Sequence, residues 1–226
     1  MDGLLVETES IHIRAFEEFM RRKGLKPSPG YAATLVGLPV EHNIEGMKRD
    51  FGLQGDTAAL ARQRNAIYLE VLGKSEVVPL PCVGELLSFA AKRGLKRAVC
   101  SSSEGAQLKA VLPRLLSALG KSAAPEDFFD TVTSGDGIAN LKPAPDVYLR
   151  CAGALGIEPP ECLALEDSLV GVQAAAAAGM PVVAVPNPHA PPVGQWPTPY
   201  VVDSLCEVLA RGILRDEGDR GVLLAG

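Results

Sequence analysis

Two patterns of apolar and polar residues divide the chain. From residue 9 to about residue 72, apolar residues recur every three or four positions between charged ones, which is the spacing of amphipathic helices. The pattern is interrupted at Gly24, Pro39 and Gly52, so we expect several helices rather than one long one. No strand-like alternation occurs in this span. The sequence therefore predicts an all-helical segment.

From residue 78 onward, short apolar runs alternate with helical patterns. We predict strands at residues 96–100, 128–133, 162–165, 182–185 and 200–202. Strands that alternate with helices indicate an α/β fold with a parallel sheet covered on both faces. Ligands of such sheets lie beyond the carboxyl ends of the strands. We expect the tail, residues 216–226, to be loosely held.

Composition and charge narrow the class of protein. The 226 residues suffice for one α/β domain with a small insertion. A net charge of -5 without a basic stripe argues against nucleic acid as a main partner. The apolar runs are too short to cross a membrane, and no signal-peptide pattern opens the chain. Five widely spaced cysteines without a CxxC pair favour reduced thiols and a cytoplasmic location.

Two adjacent carboxylates, Glu166 and Asp167, directly follow a predicted buried strand. They would repel each other and lose hydration there. A hard cation such as Mg²⁺, which prefers oxygen ligands, would relieve both effects. The alternative is that Asp167 or Ser168 simply caps the next helix.

Two further segments have the residue types of a phosphate site. Ser101, Ser102 and Ser103 follow a predicted strand, where hydroxyl and backbone N–H groups suit an anion. Helix capping by Ser102 or Ser103 is the alternative, and it is compatible with Ser101 facing the site. Lys142 is followed by prolines at positions 143 and 145, which stiffen the segment and fix where the lysine points. A solvated surface lysine is the alternative there.

The first residues of the chain complete this set. Asp2 is followed by Gly3, which allows a sharp turn past a reactive centre; a plain surface turn is the alternative. A lysine, a serine, a carboxylate pair and an Asp-Gly turn together indicate a site for phosphate and Mg²⁺. No zinc spacing, phosphate-binding loop or dinucleotide motif competes with this interpretation.

The same segments resemble the motifs of the haloacid dehalogenase superfamily, in the branch of β-phosphoglucomutase and related sugar-phosphate and phosphoglycolate phosphatases. Residues 2–9 resemble the end of the DxDGxLxDSE loop, and residues 99–103 the second motif. The KPxPD pattern at 142–146 and the EDSxxGxxAAxxAG pattern at 166–179 resemble the third and fourth motifs. The last two patterns occurring together are highly specific.

The resemblance implies a Rossmann-like core, residues 1–8 with 78–226, and an inserted helical cap, residues 9–77. It implies that Asp2 is the acid and base of a phosphatase and that Ser101, Ser102 and Lys142 bind phosphate. It further implies that Asp2, Glu166 and Asp167 hold Mg²⁺ and that the substrate is a small phosphorylated metabolite. In the cap, His12 and Arg64 are candidates for substrate contact.

The resemblance also places a nucleophilic aspartate two positions before Asp2, at the end of a strand that is central in the family's sheet. That aspartate and the strand that leads to it would precede Met1 in the printed sequence. We therefore expect the sheet to lack its first strand and the chain as written to lack aspartyl-phosphate chemistry. A mis-assigned start and an inactive descendant are the two explanations.

Three functions remain open at this point. The first is a Mg²⁺-dependent phosphatase of a phosphorylated metabolite, and the second is a non-catalytic binding or regulatory protein of the same fold. The third is a phosphosugar mutase, whose cap arginine holds a second phosphate. Val40 and Glu41 occupy that place in this chain, which favours a phosphatase acting on a single phosphate group.

Overall fold

The computed structural model describes residues 1–36, 38–186, 195–213 and, for the backbone alone, 222–225. The chain divides into two compact units, residues 1–7 with 78–226 and residues 8–77. The expected division, 1–8 with 78–226 and 9–77, places the first boundary one residue later.

The second unit is helical, as its apolar periodicity predicts. Its elements are α1 (Glu9–Arg22), a 3₁₀ turn (Tyr31–Leu35), α2 (Val40–Phe51) and α3 (Thr57–Gly73). Asp56 caps α3 by accepting a hydrogen bond of 2.8 Å from the Ala59 N–H. The faces that α1, α2 and α3 turn toward one another carry the buried residues Ile11, Phe16, Phe19, Ile44, Met47, Leu60 and Tyr68. Its described residues contain no strand.

The first unit is the α/β core. Its strands are β1 (Val6–Glu7), β2 (Val78–Pro79), β3 (Lys96–Cys100), β4 (Thr131–Thr133), β5 (Cys162–Glu166), β6 (Val182–Ala184) and β7 (Val222–Ala225). Strands β1 and β2 form a short antiparallel pair, and the other five form a parallel sheet in the order β4-β3-β7-β5-β6. The predicted fold class, a Rossmann-like parallel sheet with a helical cap, is confirmed.

The helical segments described between these strands are α4 (Val83–Lys92), α5 (Gly105–Ala118), α6 (Pro125–Phe128), α7 (Asp146–Leu155), a 3₁₀ turn (Pro159–Glu161), α8 (Leu169–Ala177) and α9 (Leu205–Ala210). Small and medium side chains of α7 and α8 pack on the sheet, as the low aromatic content of 5% requires. None of the described helices is long and apolar enough to cross a membrane.

The centre of the sheet differs from the sequence-based expectation. Strand β7 lies between β3 and β5 and pairs in parallel with both, for example Ala98 and Ala164 each with Leu224. The expectation of a loose tail is therefore wrong for residues 222–225. The strand expected to be missing, which would lead to the position two before Asp2, is not among the described strands, and β7 lies at the centre of the sheet. The physical reason is that two open strand edges leave unpaired N–H and C=O groups, which an apolar run can satisfy. Residues 216–221 and 226 lie outside the described residues.

Two predicted strands are shorter in the structure. The run at 128–133 begins inside α6, so that only Thr131–Thr133 pairs with β3. The run at 200–202 contributes a single bridge, from Val201 to Ala184. Both runs are apolar, but the neighbouring helix and loop limit the length available for pairing.

The cysteines also depart from the expectation of reduced thiols. Cys82 and Cys206 form a disulfide with their Cα atoms 5.1 Å apart, joining the start of α4 to α9. These residues are 124 positions apart in sequence, so only the fold reveals the pair. Cys100, Cys151 and Cys162 are free and buried.

Candidate active site

The Asp2-Gly3 turn joins the loop that follows β3. Gly3 has a φ of 70°, in the left-handed region that favours glycine, and its N–H donates to the Val6 carbonyl at 3.0 Å. The Asp2 carboxylate accepts a hydrogen bond of 3.0 Å from the Ser103 hydroxyl. The first and second predicted segments therefore meet in the folded core, although 101 positions separate these two residues.

The three serines have three different surroundings. Ser101 is buried, its N–H donates to the Thr133 carbonyl at 2.9 Å, and its Oγ accepts from the Ser103 N–H at 3.1 Å. Ser102 is exposed. The alternative that Ser102 or Ser103 caps α5 is wrong, because Glu104 occupies the N-cap position and its side chain makes no capping hydrogen bond.

The cap of α5 comes from a loop that sequence reasoning missed. Asp136, after β4, accepts a hydrogen bond of 3.0 Å from the Gly105 N–H. In the same loop the Gly135 N–H donates to the Ser103 carbonyl at 2.9 Å, and a Cβ at Gly135 would overlap the Ser102 carbonyl oxygen. The Ser-Gly-Asp-Gly run at 134–137 was the available signal, since such runs mark close turns.

Lys142 is held between the carboxyl ends of two strands. Its ammonium is ion-paired with Glu166 at the end of β5 and donates to the Cys100 carbonyl at the end of β3, at 3.3 Å. The Lys142–Pro143 peptide bond is cis. Only 8% of the lysine side chain is exposed, so the alternative of a solvated surface lysine is wrong.

Glu166 accepts hydrogen bonds from three side chains. Lys142 and the Tyr148 hydroxyl both donate to Oε1, and the Ser168 hydroxyl donates to Oε2 at 3.3 Å. Burial is the largest single influence and would raise the pKa of Glu166, but nearby positive charge, Lys142 first, and hydrogen bonds from Lys142 and Tyr148 together hold that pKa below its ordinary value. Glu166 is therefore an ionised carboxylate enclosed by its own partners.

The start of α8 is built around this carboxylate. A Cβ at Gly171 would overlap the Glu166 carboxylate, so the glycine of the fourth motif leaves the space that the side chain occupies. Ser168 caps α8 by accepting from the Gly171 N–H at 3.1 Å. The capping alternative is therefore confirmed for Ser168.

The pKa of Asp167 is shifted in the opposite direction from that of its neighbour Glu166. Asp167 is partly buried, and burial followed by the charge of Glu166 raises its pKa to about 7. A divalent cation at this carboxylate would favour the ionised form, and the oxygen donors suit Mg²⁺. The described residues contain no group of three His, Cys, Asp or Glu side chains arranged to hold a metal, so Asp2, Glu166 and Asp167 are not gathered into one coordination sphere.

The two cap candidates contact each other within the helical unit. The Arg64 guanidinium is fully buried, lies 4.0 Å from the centroid of the Phe16 ring and is 2.7 Å from His12 Nδ1. Since a guanidinium only donates, His12 Nδ1 accepts this bond. The His12 ring stacks on Tyr68 with 4.3 Å between centroids. Arg64 is therefore a buried residue, and substrate contact by His12 and Arg64 stays a prediction.

Comparison with known proteins gives the chain its relatives. It is 33% identical over 195 residues to protein CbbY of Rhodobacter capsulatus, covering 84% of each chain. It is 34% identical over 185 residues to the fructose-1-phosphate phosphatase YqaB of Escherichia coli K12, covering 82% of this chain and 93% of that protein.

The solved structures agree with these relatives. The crystal structure of CbbY from Rhodobacter sphaeroides in complex with phosphate superposes with a TM-score of 0.76 at 27% identity, covering 92% of this chain and 93% of that one. The profile of the haloacid dehalogenase-like hydrolase family matches residues 1–185, which include all four predicted motifs. The chain therefore belongs to the haloacid dehalogenase-like hydrolase family.

Proposed function

We propose that this protein is a phosphatase that releases phosphate from a small phosphorylated metabolite, with a sugar phosphate as the expected class of substrate. The observation that carries the proposal is the position of the Lys142 ammonium. It lies between the carboxyl ends of β3 and β5, bound to Cys100 and Glu166. A fixed cation at this edge of a parallel sheet suits a phosphoryl group.

Each residue of the site has its own role in the proposed reaction. Lys142, the Ser101 hydroxyl and the Ser102 N–H bind the phosphoryl oxygens and orient the phosphorus, since the Ser101 and Ser103 N–H groups already donate within the protein. Asp2, held by Ser103, protonates the leaving oxygen and later takes a proton from the attacking water. The family resemblance implies attack by an aspartate two positions before Asp2, a position that precedes the printed sequence.

Magnesium belongs to this proposal as well. Asp2 and Asp167 would hold the ion, because both offer carboxylate oxygens, and a cation would offset the burial and the Glu166 charge that raise the pKa of Asp167. When bound, the ion neutralises charge that develops on the phosphoryl oxygens. Glu166 is a less suitable ligand, since its oxygens accept from Lys142, Tyr148 and Ser168.

The relatives support a sugar-phosphate substrate. One is named a fructose-1-phosphate phosphatase, and another, 29% identical over 216 residues, is hexitol phosphatase B of Escherichia coli O157:H7. The mutase alternative is disfavoured at the start of α2, where Val40 and the exposed Glu41 stand in place of a cap arginine.

The test is release of inorganic phosphate from a panel of sugar and polyol monophosphates, with Mg²⁺ and with EDTA. The protein is expressed from its own genomic context, so that any residues encoded before Met1 are retained. We expect hydrolysis that requires Mg²⁺ and falls by at least a hundredfold in Asp2→Asn, as for loss of a general acid and base. Full activity in Asp2→Asn would contradict the role of Asp2.

Two other outcomes separate the alternatives. Transfer of phosphate between positions of a sugar, without release, would indicate the mutase. Binding of inorganic phosphate without hydrolysis of any panel member would indicate the non-catalytic binding protein.

A further inference from the structure

Tyr148 is a buried residue of the site that no predicted motif assigns to the chemistry. It lies on the inner face of α7, two positions after the KPxPD pattern, and is fully buried. Its hydroxyl donates to Glu166 Oε1, the same oxygen that receives the Lys142 ammonium. The ammonium also lies 5.0 Å from the centroid of the Tyr148 ring. One aromatic side chain therefore contacts both members of the ion pair.

The surroundings of Glu166 leave it little freedom. Tyr148 and Lys142 donate to one carboxylate oxygen, and Ser168 donates to the other at 3.3 Å. Gly171 closes the remaining side, because even a Cβ there would overlap the carboxylate. A carboxylate bound on all these sides is a fixed anchor for the cation that it pairs with.

Lys142 depends on that anchor for its direction. A lysine ammonium is a point charge on a flexible four-carbon stem, and it acquires a fixed position only from its partners. Among the described residues, the Lys142 ammonium donates to Glu166 and to the Cys100 carbonyl. The backbone fixes the carbonyl, whereas the Glu166 side chain is fixed by Tyr148, Ser168 and the space at Gly171.

We infer that Tyr148 is a positioning residue that acts through Glu166 to fix the Lys142 ammonium for binding the phosphoryl group, and that Glu166 serves this ion pair rather than the first shell of the metal. The inference rests on the proposed function, since it names the device that orients that site's phosphate-binding cation. Burial, with the charge of Glu166, raises the pKa of the Tyr148 hydroxyl well above its ordinary value, so the hydroxyl remains a donor at neutral and alkaline pH.

The test uses Tyr148→Phe, which removes the hydroxyl and keeps the ring. Binding of inorganic phosphate at saturating Mg²⁺, and of Mg²⁺ alone, is measured by calorimetry. We expect phosphate to bind roughly three- to tenfold more weakly, on the scale of one ordinary hydrogen bond, with Mg²⁺ affinity unchanged. Tyr31→Phe is the matched control, because it removes a hydroxyl that donates to the Asp50 carboxylate at 3.1 Å in the helical unit. It should leave both affinities unchanged.

A double-mutant cycle separates positioning from a general loss of packing. In Lys142→Met there is no ammonium left to position, so adding Tyr148→Phe should weaken phosphate binding no further. Additive losses would overturn the inference, and so would wild-type phosphate affinity in Tyr148→Phe. An equal fall in Mg²⁺ affinity would also overturn it, because that result would make Glu166 a metal ligand.

The remaining outcomes are equally decisive. If Lys142→Met does not fold, the comparison of Tyr148→Phe with Tyr31→Phe decides alone. Wild-type protein that neither binds phosphate nor hydrolyses any monoester would contradict the proposed function. Wild-type protein that binds phosphate no better than Tyr148→Phe would contradict this inference alone.

Discussion

The core and the helical cap each contain ion pairs, but the two kinds have opposite surroundings. In the core, Lys142 and Glu166 have side-chain exposures of 8% and 1%. In the cap, Arg22 and Glu70 approach to 2.6 Å with exposures of 41% and 50%. Water screens the cap pair and already solvates both partners, so its contact adds little. The core pair has lost that water, so each charge depends on the other. Contact distance alone therefore does not distinguish a functional ion pair from a surface one.

Removal of the core cation tests this contrast most strongly. Lys142→Met leaves the Glu166 carboxylate buried without its counter-ion, and we expect the free energy of unfolding to fall by about 3–5 kcal/mol. Urea denaturation followed by circular dichroism measures the change. Lys142→Met combined with Glu166→Leu should recover most of the loss, since no buried charge remains. A loss below about 1 kcal/mol in the single variant would show that water reaches the pair.

Like the Lys142–Glu166 ion pair, the Cys82–Cys206 disulfide joins distant segments of the core, but it does so by a covalent bond. Cys206→Ser releases α9 from the start of α4, and we expect a loss of about 2–4 kcal/mol in oxidised protein. The measurement is denaturation with and without a dithiol reductant. Reduced wild-type protein and Cys206→Ser should then unfold at the same denaturant concentration. Equal stability of oxidised and reduced wild-type protein would contradict the expectation.

The packing around Glu166 can be tested without changing any charge. Gly171→Ala places a methyl group against the carboxylate, which we expect to cost about 1–3 kcal/mol through forced movement. Gly153→Ala in α7 is the matched control, because a Cβ there meets nothing within 4 Å. That control should be neutral or stabilising by up to about 1 kcal/mol. Similar effects at both glycines would mean that Glu166 moves aside freely.

The smallest expected effect on stability comes from the Glu18 carboxylate in the helical cap, and it depends on pH. Hydrogen bonds from Arg21, and then from Arg22, lower the pKa of Glu18 from 4.5 to about 2. A lowered folded-state pKa contributes stability above the unfolded pKa, and that contribution is lost as the pH falls from 4.5 to about 2. Thermal unfolding of wild type and Glu18→Gln should differ slightly at pH 7 and converge across this window. Because the site is exposed, added salt should reduce the difference. A difference that persists at pH 2 would show another cause.

Local pattern was sufficient for the parts of the fold that carry their own periodicity. The three long cap helices, β3 and the helix after Lys142 follow from apolar spacing, glycine and proline. The convergence of Lys142, Glu166 and the end of β3 follows from the rule that ligand sites lie where the strands of a parallel sheet end.

The remaining features depend on contacts that no local pattern records. The Asp136 cap of α5 and the Cys82–Cys206 pair join distant segments. The bond from Tyr148 to Glu166 has a weak signal, because a buried tyrosine hydroxyl needs a partner but the sequence does not identify it. For β7, a short apolar run resembles many loop segments, and only the open edges of β3 and β5 distinguish it.

The position of β7 has a consequence for how the molecule is made. Residues 222–225 follow the other described strands in the chain, yet they pair with both β3 and β5 at the centre of the sheet. Until they emerge from the ribosome, two strand edges remain open to other chains. Pairing between such distant segments also slows folding. The centre of the sheet is therefore completed only after its other described strands have been made, and until then the open edges of β3 and β5 are exposed to aggregation.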